Sequence, residues 1–431
     1  MNDLTSCVHD DVSRQRSRPR KALLAGISAA ALLALAACSS GSSGSSSATS
    51  STSPSSAAAA GSSSSVLSQS KALLSEAAAT AVTGPSFGTV PVNQIVPWTA
   101  AMMPTPSKLA TGKQISVDVV YSIPEGYTPY AAHVIQAVGA KIGWKVKVIE
   151  ATAPTQPAEL TAMQQAVLDK PTAIIALVIP ATYVAPALAK AKSEGIYTVD
   201  VHQDTTDGAG YDAYVPDGEG VQKALLAAYA IAQSNGSAKT LIVSAPGFSD
   251  VNVPAAQSYL GACSGCNTQL VQFNPTDFTS PTAVQSDVTS KLAATSGVTY
   301  IIWPDGGLPI QTVITAISSS ITNKSTKLLV NDAAPGSVQL LKAGQIPIVV
   351  WAPAAMTALV AIDDVNRMAQ GQQPLAQTAQ RYPVSYWTTQ NSPAPTYPAI
   401  TAAQLQQADW LSPFEQAWGV QLKSIILGVS G

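Results

Sequence analysis

Three aspartates stand where short apolar runs of the sequence end. Asp200, Asp305 and Asp332 each close a run that is typical of a buried β-strand. Because the carboxyl ends of parallel strands meet at the edge of a sheet where ligands bind, we expect all three on the crevice side. A carboxylate accepts hydrogen bonds from adjacent hydroxyl groups, and such charge-assisted bonds are strong. The aspartates therefore predict a site for a hydroxyl-bearing ligand, with helix capping as the alternative for each.

Four aromatic residues could add a stacking surface for the apolar face of a sugar. They are Tyr127, Tyr130, Trp303 and Trp351. The alternative is that these rings pack in a core or at a hinge, since large aromatic side chains dominate buried surfaces. His202 lies two residues after one of the aspartates, where a surface role is an equal alternative.

Two cysteines form a C-x-x-C pair at Cys263 and Cys266. In an exported protein such a pair predicts a small disulfide. Residues 261–265 copy the glycine spacing of a nucleophile elbow, but no strand runs into them. The chain has no G-x-S-x-G, H-E-x-x-H, Walker A or G-x-G-x-x-G sequence, so we predict no enzyme, no cofactor and no metal site.

Composition limits the remaining classes of function. The chain has 431 residues, of which 46% are hydrophobic, more than a single core of ordinary domain size needs, so two lobes are expected. Only 11% are charged, with 23 basic against 25 acidic residues. A nucleic-acid partner is therefore not expected, since such partners demand a basic surface.

The first residues have the pattern of an export signal. A basic stretch, Arg14–Lys21, precedes the apolar run Ala22–Ala37, which is too short to span a membrane comfortably. The run closes with Leu-Ala-Ala-Cys38, which resembles the lipobox of bacterial lipoproteins and implies lipidation of Cys38. The alternative is an ordinary signal peptide that contains a cysteine. We predict a signal peptide at 1–37 and, from its uncharged Ser/Ala-rich composition, a flexible tether at 38–66.

The elements that would position the aspartates begin near residue 114. Residues 67–112 form an N-terminal extension with a helix at 67–81, and no activity is assigned to it. Strand and helix patterns then alternate, which predicts a parallel sheet covered on both faces. The predicted segments are 115–121, 129–142, 146–150, 158–168, 173–179, 184–193 and 197–201.

A second alternation follows Pro216. Its predicted strands are 241–244, 300–303, 327–331 and 348–351, and a helix begins at Ser280 with Pro281 in its first position. Two α/β sets of similar length predict two similar lobes with a cleft between them.

The stretch 328–353, LLVNDAAPGSVQLLKAGQIPIVVWAP, resembles a family of two-lobed receptors. It contains a strand that ends in Asp, then a helix, a G-x-I turn and a second strand. These elements are similar to those of type 1 periplasmic binding proteins, specifically the ribose-binding-like solute receptors of bacterial ABC importers. The helix that runs to Gly371 and the return strand at 381–384 add to this resemblance, which covers residues 114 to about 390.

The resemblance implies an α/β fold of two Rossmann-like lobes joined by a three-crossover hinge. The crossovers would lie near Pro216, Ala352 and Pro383. The N-terminal lobe would comprise 113–216 and 352–382, and the C-terminal lobe 217–351 and 383–431.

The resemblance also implies which residues bind the ligand. The loop from Tyr121 to Tyr130 matches a ligand-contacting segment of the family, the three aspartates match polar positions at strand ends, and Trp351 stands where a polar amide is frequent. The predicted ligand contacts are Tyr121, Tyr127, Tyr130, Asp200, Asp305, Asp332 and Trp351.

One departure from the family concerns arginine. After Arg20 the chain has only Arg367 and Arg381, so the arginines that clamp sugar hydroxyls in ribose-type receptors are missing. A pocket of aspartates and aromatics without a cationic anchor disfavours phosphate or carboxylate ligands. A neutral sugar or polyol is the first prediction. An amine or quaternary ammonium ligand is the second, since carboxylates and aromatic faces suit a cation.

Two functions are compatible with closure of the two lobes around a ligand. One is a transport receptor that delivers its ligand to an ABC permease, and the other is a receptor that presents a ligand to a membrane sensor. In both cases we expect a monomer, exported to the outer face of the bacterial cytoplasmic membrane, at the cell surface or in the periplasm. The lipid anchor would be its only contact with the membrane.

Overall fold

The N-terminal extension opens with a long helix in the computed structural model, which describes residues 56–86, 88–124, 126–202, 210–244, 253–376 and 379–429. Helix α1 (Ser56–Thr80) precedes the short antiparallel pair β1 (Val82–Thr83) and β2 (Val96–Pro97). The predicted tether at 38–66 is therefore wrong for residues 56–66, which are helical. Alanine is the strongest helix former, and four successive alanines, 57–60, lie in this first part of the helix.

The first lobe is built on a five-stranded parallel sheet. Its strands are β3 (Ser116–Tyr121), β4 (Lys145–Glu150), β5 (Ala173–Leu177), β6 (Tyr197–Val201) and β7 (Ala213–Val215), in the spatial order β4-β3-β5-β6-β7. The central strand β5 is buried throughout, as expected for a continuous apolar run covered on both faces. Strand β7 was not predicted, because three residues are too few for a periodic signal.

Helices cover this first sheet on both sides. They are α2 (Tyr127–Lys141), α3 (Gln156–Asp169) and α4 (Ala181–Ser193). Residues of α2 pack in one apolar core of the lobe, and residues of α3 and α4 pack in the other. The segments that follow β3 and β6 meet the second lobe, because Gly126 lies beside Ala334 and His202 lies beside Asp332.

The second lobe has a six-stranded sheet with the order β13-β12-β11-β10-β8-β9. The strands are β8 (Lys239–Ser244), β9 (Asn267–Gln272), β10 (Tyr300–Trp303), β11 (Lys327–Val330), β12 (Ile348–Trp351) and β13 (Ser385–Trp387), and only the β12–β13 pairing is antiparallel. Its helices are α5 (Glu219–Gln233), α6 (Val253–Gly261), α7 (Pro281–Ala294), α8 (Ile310–Ser319) and α9 (Pro335–Lys342). The Ser280 hydroxyl caps α7 by accepting a hydrogen bond from the Ala283 N–H.

The chain crosses between the lobes three times. It leaves β7 for α5 after Val215, and it leaves β12 for α10 (Ala354–Ala369), which packs in the core of the first lobe. Residues 370–384 then lead back to β13 in the second sheet. Within this crossover, Gln380 donates a hydrogen bond to the Tyr214 carbonyl of β7. The α/β fold class that was predicted is confirmed.

The C-terminal segment departs from the predicted lobe boundary. Helices α11 (Tyr397–Gln407), α12 (Ser412–Trp418) and α13 (Lys423–Gly428) follow β13. Trp410, Phe414 and Ile426 pack in the core of the first lobe, although residues 383–431 were predicted to belong to the second. Helix α13 contacts α2, and the Tyr130 hydroxyl of α2 donates a hydrogen bond to the Ile426 carbonyl, so the segment buries apolar surface of the first lobe.

Cys263 and Cys266 are joined by a disulfide just after α6, with their Cα atoms 5.3 Å apart. Within the described ranges, no helix combines the length and the apolar character needed to cross a bilayer. Cys38 and the whole predicted signal peptide lie outside the described residues.

Candidate ligand site between the two lobes

A buried histidine links the two lobes at the end of β6. His202 follows this strand in the left-handed backbone region, with φ 61°. Its Nδ1 lies 2.8 Å from Asp217 Oδ2, and its Nε2 lies 3.7 Å from Asp332 Oδ2 and 3.8 Å from Glu219 Oε1. Asp217 belongs to the first crossover, and the other two acids belong to the second lobe. One first-lobe side chain therefore contacts carboxylates from the hinge and from the opposite lobe.

The surroundings of His202 favour its charged form. Burial by itself lowers the pKa of this imidazole, but the nearby Asp217, Asp332 and Glu219 carboxylates outweigh that effect and hold the pKa well above its ordinary value. The Tyr127 ring lies against the imidazole, with ring centroids 4.1 Å apart. The carboxylates and the aromatic face therefore both favour the imidazolium form of His202.

Residues at the start of α5 hold the hinge carboxylates in place. The Asp217 carboxylate accepts hydrogen bonds from the Glu219 N–H at 3.1 Å and from Gln222 Nε2 at 2.9 Å. Glu219 in turn accepts one from Asn331 Nδ2 at 2.6 Å and lies 3.2 Å from Lys223 Nζ, which also donates to the Pro304 carbonyl. Because these side chains are all buried, the network fixes the positions of the acids before any ligand arrives.

Two oxygens of this network have no hydrogen-bond partner in the described structure. They are Gln222 Oε1 and Asn331 Oδ1, and both are buried. Each is an acceptor, so the group that would satisfy it must be a donor. The network is therefore suited to a ligand that brings hydroxyl or amino hydrogens.

Asp305 and Asp332 lie on two loops of the second lobe that touch each other. A Cβ atom placed on Gly306 would lie only 2.1 Å from the Asp332 carbonyl oxygen, so glycine is required at this close approach. Asp305 Oδ1 accepts a hydrogen bond from the Gly307 N–H at 2.5 Å. Burial raises the pKa of both carboxyls, and for Asp332 the neighbouring Asp305 adds to the rise while His202 opposes it.

A cavity of about 520 Å³ opens beside these loops. Pro124 and Gly126 line it from the first lobe, residues 306–311 and 334–336 line it from the second, and the Tyr397 ring forms part of its wall. A Cβ atom on Gly126 would lie 3.6 Å from Ala334 Cβ and 3.7 Å from Gly307 Cα. The two lobes are therefore nearly in contact at the rim of this cavity.

The geometry also allows a metal ion at one place. Within the described residues, ligand atoms of His202, Asp217 and Asp332 all lie within 4.8 Å of one another. An imidazole nitrogen and two carboxylate oxygens are donors that divalent metals accept. The same atoms already form the ion pairs described above.

Of the seven predicted ligand contacts, three lie in or beside this cluster. Asp332 faces His202, Asp305 lies on the adjoining loop, and Tyr127 packs on the imidazole while its hydroxyl lies 2.5 Å from Thr357 Oγ1. These three residues stay the best predicted contacts.

Tyr121 and Tyr130 are engaged elsewhere in the first lobe. The Tyr121 hydroxyl donates to Glu150 Oε2 at 3.3 Å across the sheet. The Tyr130 ring stacks on Tyr397 in the core, and its hydroxyl lies 2.8 Å from Thr401 Oγ1. Both tyrosines are buried, and their role as ligand contacts stays a prediction.

Asp200 and Trp351 have side chains in the interiors of their lobes. The two strand neighbours of Asp200, Val199 and Val201, pack in the core beneath α2, so Asp200 points to the other face of the sheet, near Tyr211. Trp351 is fully buried and stacks on Trp387, with centroids 5.2 Å apart. Trp351 therefore packs in the core of the second lobe, and its role as a ligand contact stays a prediction. Trp303 likewise packs on Phe273 and Phe278.

Sequence reasoning did not identify most members of the cluster. His202 had no distinguishing pattern, and Asn331 was overlooked beside Asp332. A usable signal did exist at the first crossover, because Asp217 and Glu219 stand together and Lys223 follows Glu219 by four residues in a chain with 11% charged residues. Such a charge cluster at a lobe boundary is unusual and could have been singled out.

Two parallel-sheet lobes that converge on a shared polar cluster define a two-lobed ligand-binding protein. A family model described as "periplasmic binding protein domain" matches residues 118–373, which is more than half of the chain. The chain belongs to this family, and the predicted relationship to type 1 periplasmic binding proteins is confirmed. No protein in a comparison with curated proteins matches the chain.

Solved structures with this fold include several solute-binding proteins of ABC transporters. One from Agrobacterium vitis, bound with alpha-D-tagatopyranose, has a TM-score of 0.57 at 15% identity and aligns over 64% of this chain and 96% of its own. One from Burkholderia graminis in complex with D-arabinose has a TM-score of 0.57 at 16% identity, over 66% and 98%. A third, from Bacillus halodurans with bound myo-inositol, has a TM-score of 0.53 at 14% identity, over 65% and 97%.

Proposed function

We propose that this protein is the solute-binding lipoprotein of an ABC importer, which captures a sugar or polyol between its two lobes and delivers it to a permease. The observation that carries this proposal is the polar cluster in which His202 of the first lobe meets Asp217 of the hinge and Asp332 of the second lobe. The ligands named for the solved structures of the same fold, tagatopyranose, arabinose and inositol, support the choice of ligand class.

Closure of the lobes would couple ligand capture to delivery. A ligand that contacts both lobes binds the closed state better than the open state and shifts the population toward closure. Asp305 and Asp332 would accept hydrogen bonds from its hydroxyl groups, and the Tyr397 ring would lie against an apolar face. A permease could then recognise the closed form.

The sequence pattern at the N-terminus supports attachment to the membrane through a lipid on Cys38. Members of a periplasmic binding family act outside the cytoplasm, which is consistent with the predicted signal peptide. Labelling with a fatty acid should mark the wild-type protein and leave Cys38→Ala unmarked. Equal labelling of the two would contradict the anchor. We further expect a single protomer by light scattering of the protein released from the membrane.

Binding can be tested with the compounds found in related structures. Titration calorimetry with D-tagatose, D-arabinose and myo-inositol should identify at least one that binds. At a concentration one hundred times its Kd, a ligand should stabilise the folded protein by about 2.7 kcal/mol. Recovery of the compound unchanged after incubation is expected from a transport protein, and its conversion would contradict this role.

The variant Asp332→Ala should weaken the binding of that compound. Loss of a charged acceptor costs about 1.5–3 kcal/mol, which corresponds to roughly ten- to more than a hundredfold in Kd. Asp287→Ala removes a carboxylate from α7, on a helix that does not line the cavity, and should leave Kd unchanged. Equal affinities of wild type and Asp332→Ala would mean that the site lies elsewhere.

A further inference from the structure

The cleft holds more carboxylates than basic side chains. In the described part of the chain, four acids meet here, from the hinge and from two loops of the second lobe, and the basic groups that accompany them are His202 and Lys223. The four acids are Asp217, Glu219, Asp305 and Asp332. Burial raises the pKa of Glu219, Asp305 and Asp332, so a cationic ligand beside them would stabilise their ionised forms.

Each of the two basic groups already has a close carboxylate partner. Lys223 Nζ lies 3.2 Å from Glu219 Oε2 and donates to the Pro304 carbonyl at 3.0 Å. His202 Nδ1 lies 2.8 Å from Asp217 Oδ2. Asp332 Oδ2 is 3.7 Å from His202 Nε2, which is beyond hydrogen-bond distance. Among the described residues, Asp332 thus has no basic group within hydrogen-bond distance, and it is buried, with 6% of its surface exposed.

The unsatisfied oxygens near these acids independently indicate a missing donor. Gln222 and Asn331 are fully buried, and each amide nitrogen donates to a carboxylate of the cluster. These contacts fix the orientation of both amides, because a flipped amide would place its oxygen against a carboxylate. Gln222 Oε1 and Asn331 Oδ1 are therefore true acceptors, and neither has a hydrogen-bond partner.

We propose, building on the function proposed above, that the ligand of this cleft is an amino sugar or amino-polyol whose protonated amine is bound by Asp332 together with Asp305. An ammonium group supplies three donors and a positive charge, whereas a hydroxyl group supplies one donor and no charge. Charge-assisted hydrogen bonds to a carboxylate are about twice as strong as neutral ones. Tyr397, which lines the adjoining cavity and lies close enough to interact electrostatically with both aspartates, adds an aromatic group that attracts a cation.

Matched pairs of compounds test this directly on the full-length protein. D-glucosamine is compared with D-glucose, D-galactosamine with D-galactose, and 1-amino-1-deoxy-D-glucitol with D-glucitol, by titration calorimetry at pH 7. We expect the amine of at least one pair to bind about tenfold or more tightly than its neutral partner. The N-acetylated sugars, which keep the nitrogen without its charge, should bind no better than the neutral compounds.

The variant Asp332→Asn should reduce the ratio of amine to neutral affinity about tenfold or more. Asparagine tolerates the left-handed backbone at this position, where φ is 58°, so folding should be preserved, and melting curves verify this. Asp305→Asn provides a second variant in case the first unfolds. Asp287→Asn removes a distant carboxylate and should leave the ratio as in the wild type.

Three results would overturn the inference, and they separate it from the proposed function. Equal or tighter binding of the neutral compounds would refute the amine and leave the sugar-binding role intact. Saturable binding of Zn²⁺ that depends on Asp332, without binding of any sugar or polyol, would refute both. If no pair binds, native mass spectrometry of the protein from its own cells identifies the retained compound. A retained sugar without a basic nitrogen refutes the amine alone, and one with a basic nitrogen supports it.

Discussion

At the scale of single residues, His202 shows why contacts rather than residue type define this site. The imidazole reaches the hinge acid Asp217 and the second-lobe acid Asp332 from the end of a first-lobe strand. Both His202 and Asp332 have left-handed backbone conformations, which residues other than glycine rarely adopt. Such conformations persist only where the surrounding contacts hold them, and they concentrate at functional sites.

Replacing His202 by glutamine should destabilise the protein. The change removes a buried cation and leaves Asp217 and Asp332 without it, and breaking a buried ion pair typically costs about 3–5 kcal/mol. Because the pKa of His202 is raised above its ordinary value, its contribution is fully present below about pH 6.5 and is lost as the pH rises through the higher pKa of the folded state. We expect the difference in unfolding free energy between wild type and His202→Gln, measured by urea unfolding, to be larger at pH 6 than at alkaline pH.

His133→Gln on α2 serves as the control for this experiment, because it replaces a histidine and leaves His202, Asp217 and Asp332 unchanged. A constant difference between wild type and His202→Gln at every pH would indicate that the histidine acts by shape rather than by charge.

Glu159 provides a second test of buried charge. Burial raises the pKa of this carboxyl to about 7, although the hydrogen bond that Ser122 Oγ donates to its Oε1 at 2.7 Å works in the other direction. A raised carboxyl pKa means that the folded protein holds a proton that the unfolded chain releases. The stabilising contribution is therefore complete below the unfolded pKa, near 4.5, and is lost as the pH rises through about 7.

The variant Glu159→Gln keeps the hydrogen bond from Ser122 and cannot ionise. We expect it to melt at the same temperature as the wild type at pH 4 and at a higher temperature at pH 8, as measured by calorimetry. A variant that is less stable than the wild type at pH 8 would contradict the protonated carboxyl.

At the scale of elements, the N-terminal extension joins both lobes. It lies outside residues 118–373, which the family model matches. Helix α1 places Leu73 and Leu74 in the core of the second lobe, and β1 forms a backbone bridge from Val82 to Val384 on the third crossover. Further on, residues 105–110 bind α10 of the first lobe. The extension therefore runs across the hinge and links the lobes from outside the cleft.

Asn366 on α10 holds the last part of this extension. Its Oδ1 accepts the Ala110 N–H at 2.9 Å, and its Nδ2 donates to Ser107 Oγ and to the Lys108 carbonyl. Asn366→Ala removes these bonds, at about 1 kcal/mol each, so a loss of about 2–3 kcal/mol in unfolding free energy is expected. Hydrogen exchange should quicken at residues 105–110, while the exposed control Asn267→Ala changes neither quantity. Unaltered exchange in Asn366→Ala would show that the extension is held by other contacts.

At the scale of the whole molecule, lobe movement depends on three crossovers, and the first turns at a glycine. Gly218 has φ 86°, and a Cβ atom there would lie 3.0 Å from Val384 Cγ2 and 3.6 Å from Tyr382 Cβ, both on the third crossover. The two crossovers are thus packed so closely that a methyl group between them would push them apart.

Gly218→Ala should therefore destabilise the protein more than an equivalent change elsewhere. A strained left-handed residue costs about 1–3 kcal/mol, and the contact with the third crossover adds to this. Gly236→Ala is the matched control, because Gly236 has a similar φ of 81° and no atom within 4 Å of the added Cβ. Urea unfolding of both variants isolates the hinge contribution, and equal losses would show that the crossover contact is unimportant.

Local sequence patterns by themselves determined the fold class and most of the strands. The runs at Ala173–Leu177 and Tyr300–Trp303 are apolar throughout, and such runs have few alternatives to a buried parallel strand. Ser280 and Pro281 marked the start of α7 because capping depends on adjacent residues only. Asp332 was found for the same reason, since a polar residue at the end of a strand is a local signal.

The tertiary structure alone decided which polar groups meet. His202, Asp217 and Asp332 are far apart in the chain, and only the packing of two sheets around three crossovers brings them together. The same packing buries Trp351 in the core of its own lobe and places Trp410 in the core of the first lobe. A side chain is buried only where its face of the element packs against another element. Residue type and spacing describe what a side chain can do, whereas its partners follow from long-range packing that no local pattern contains.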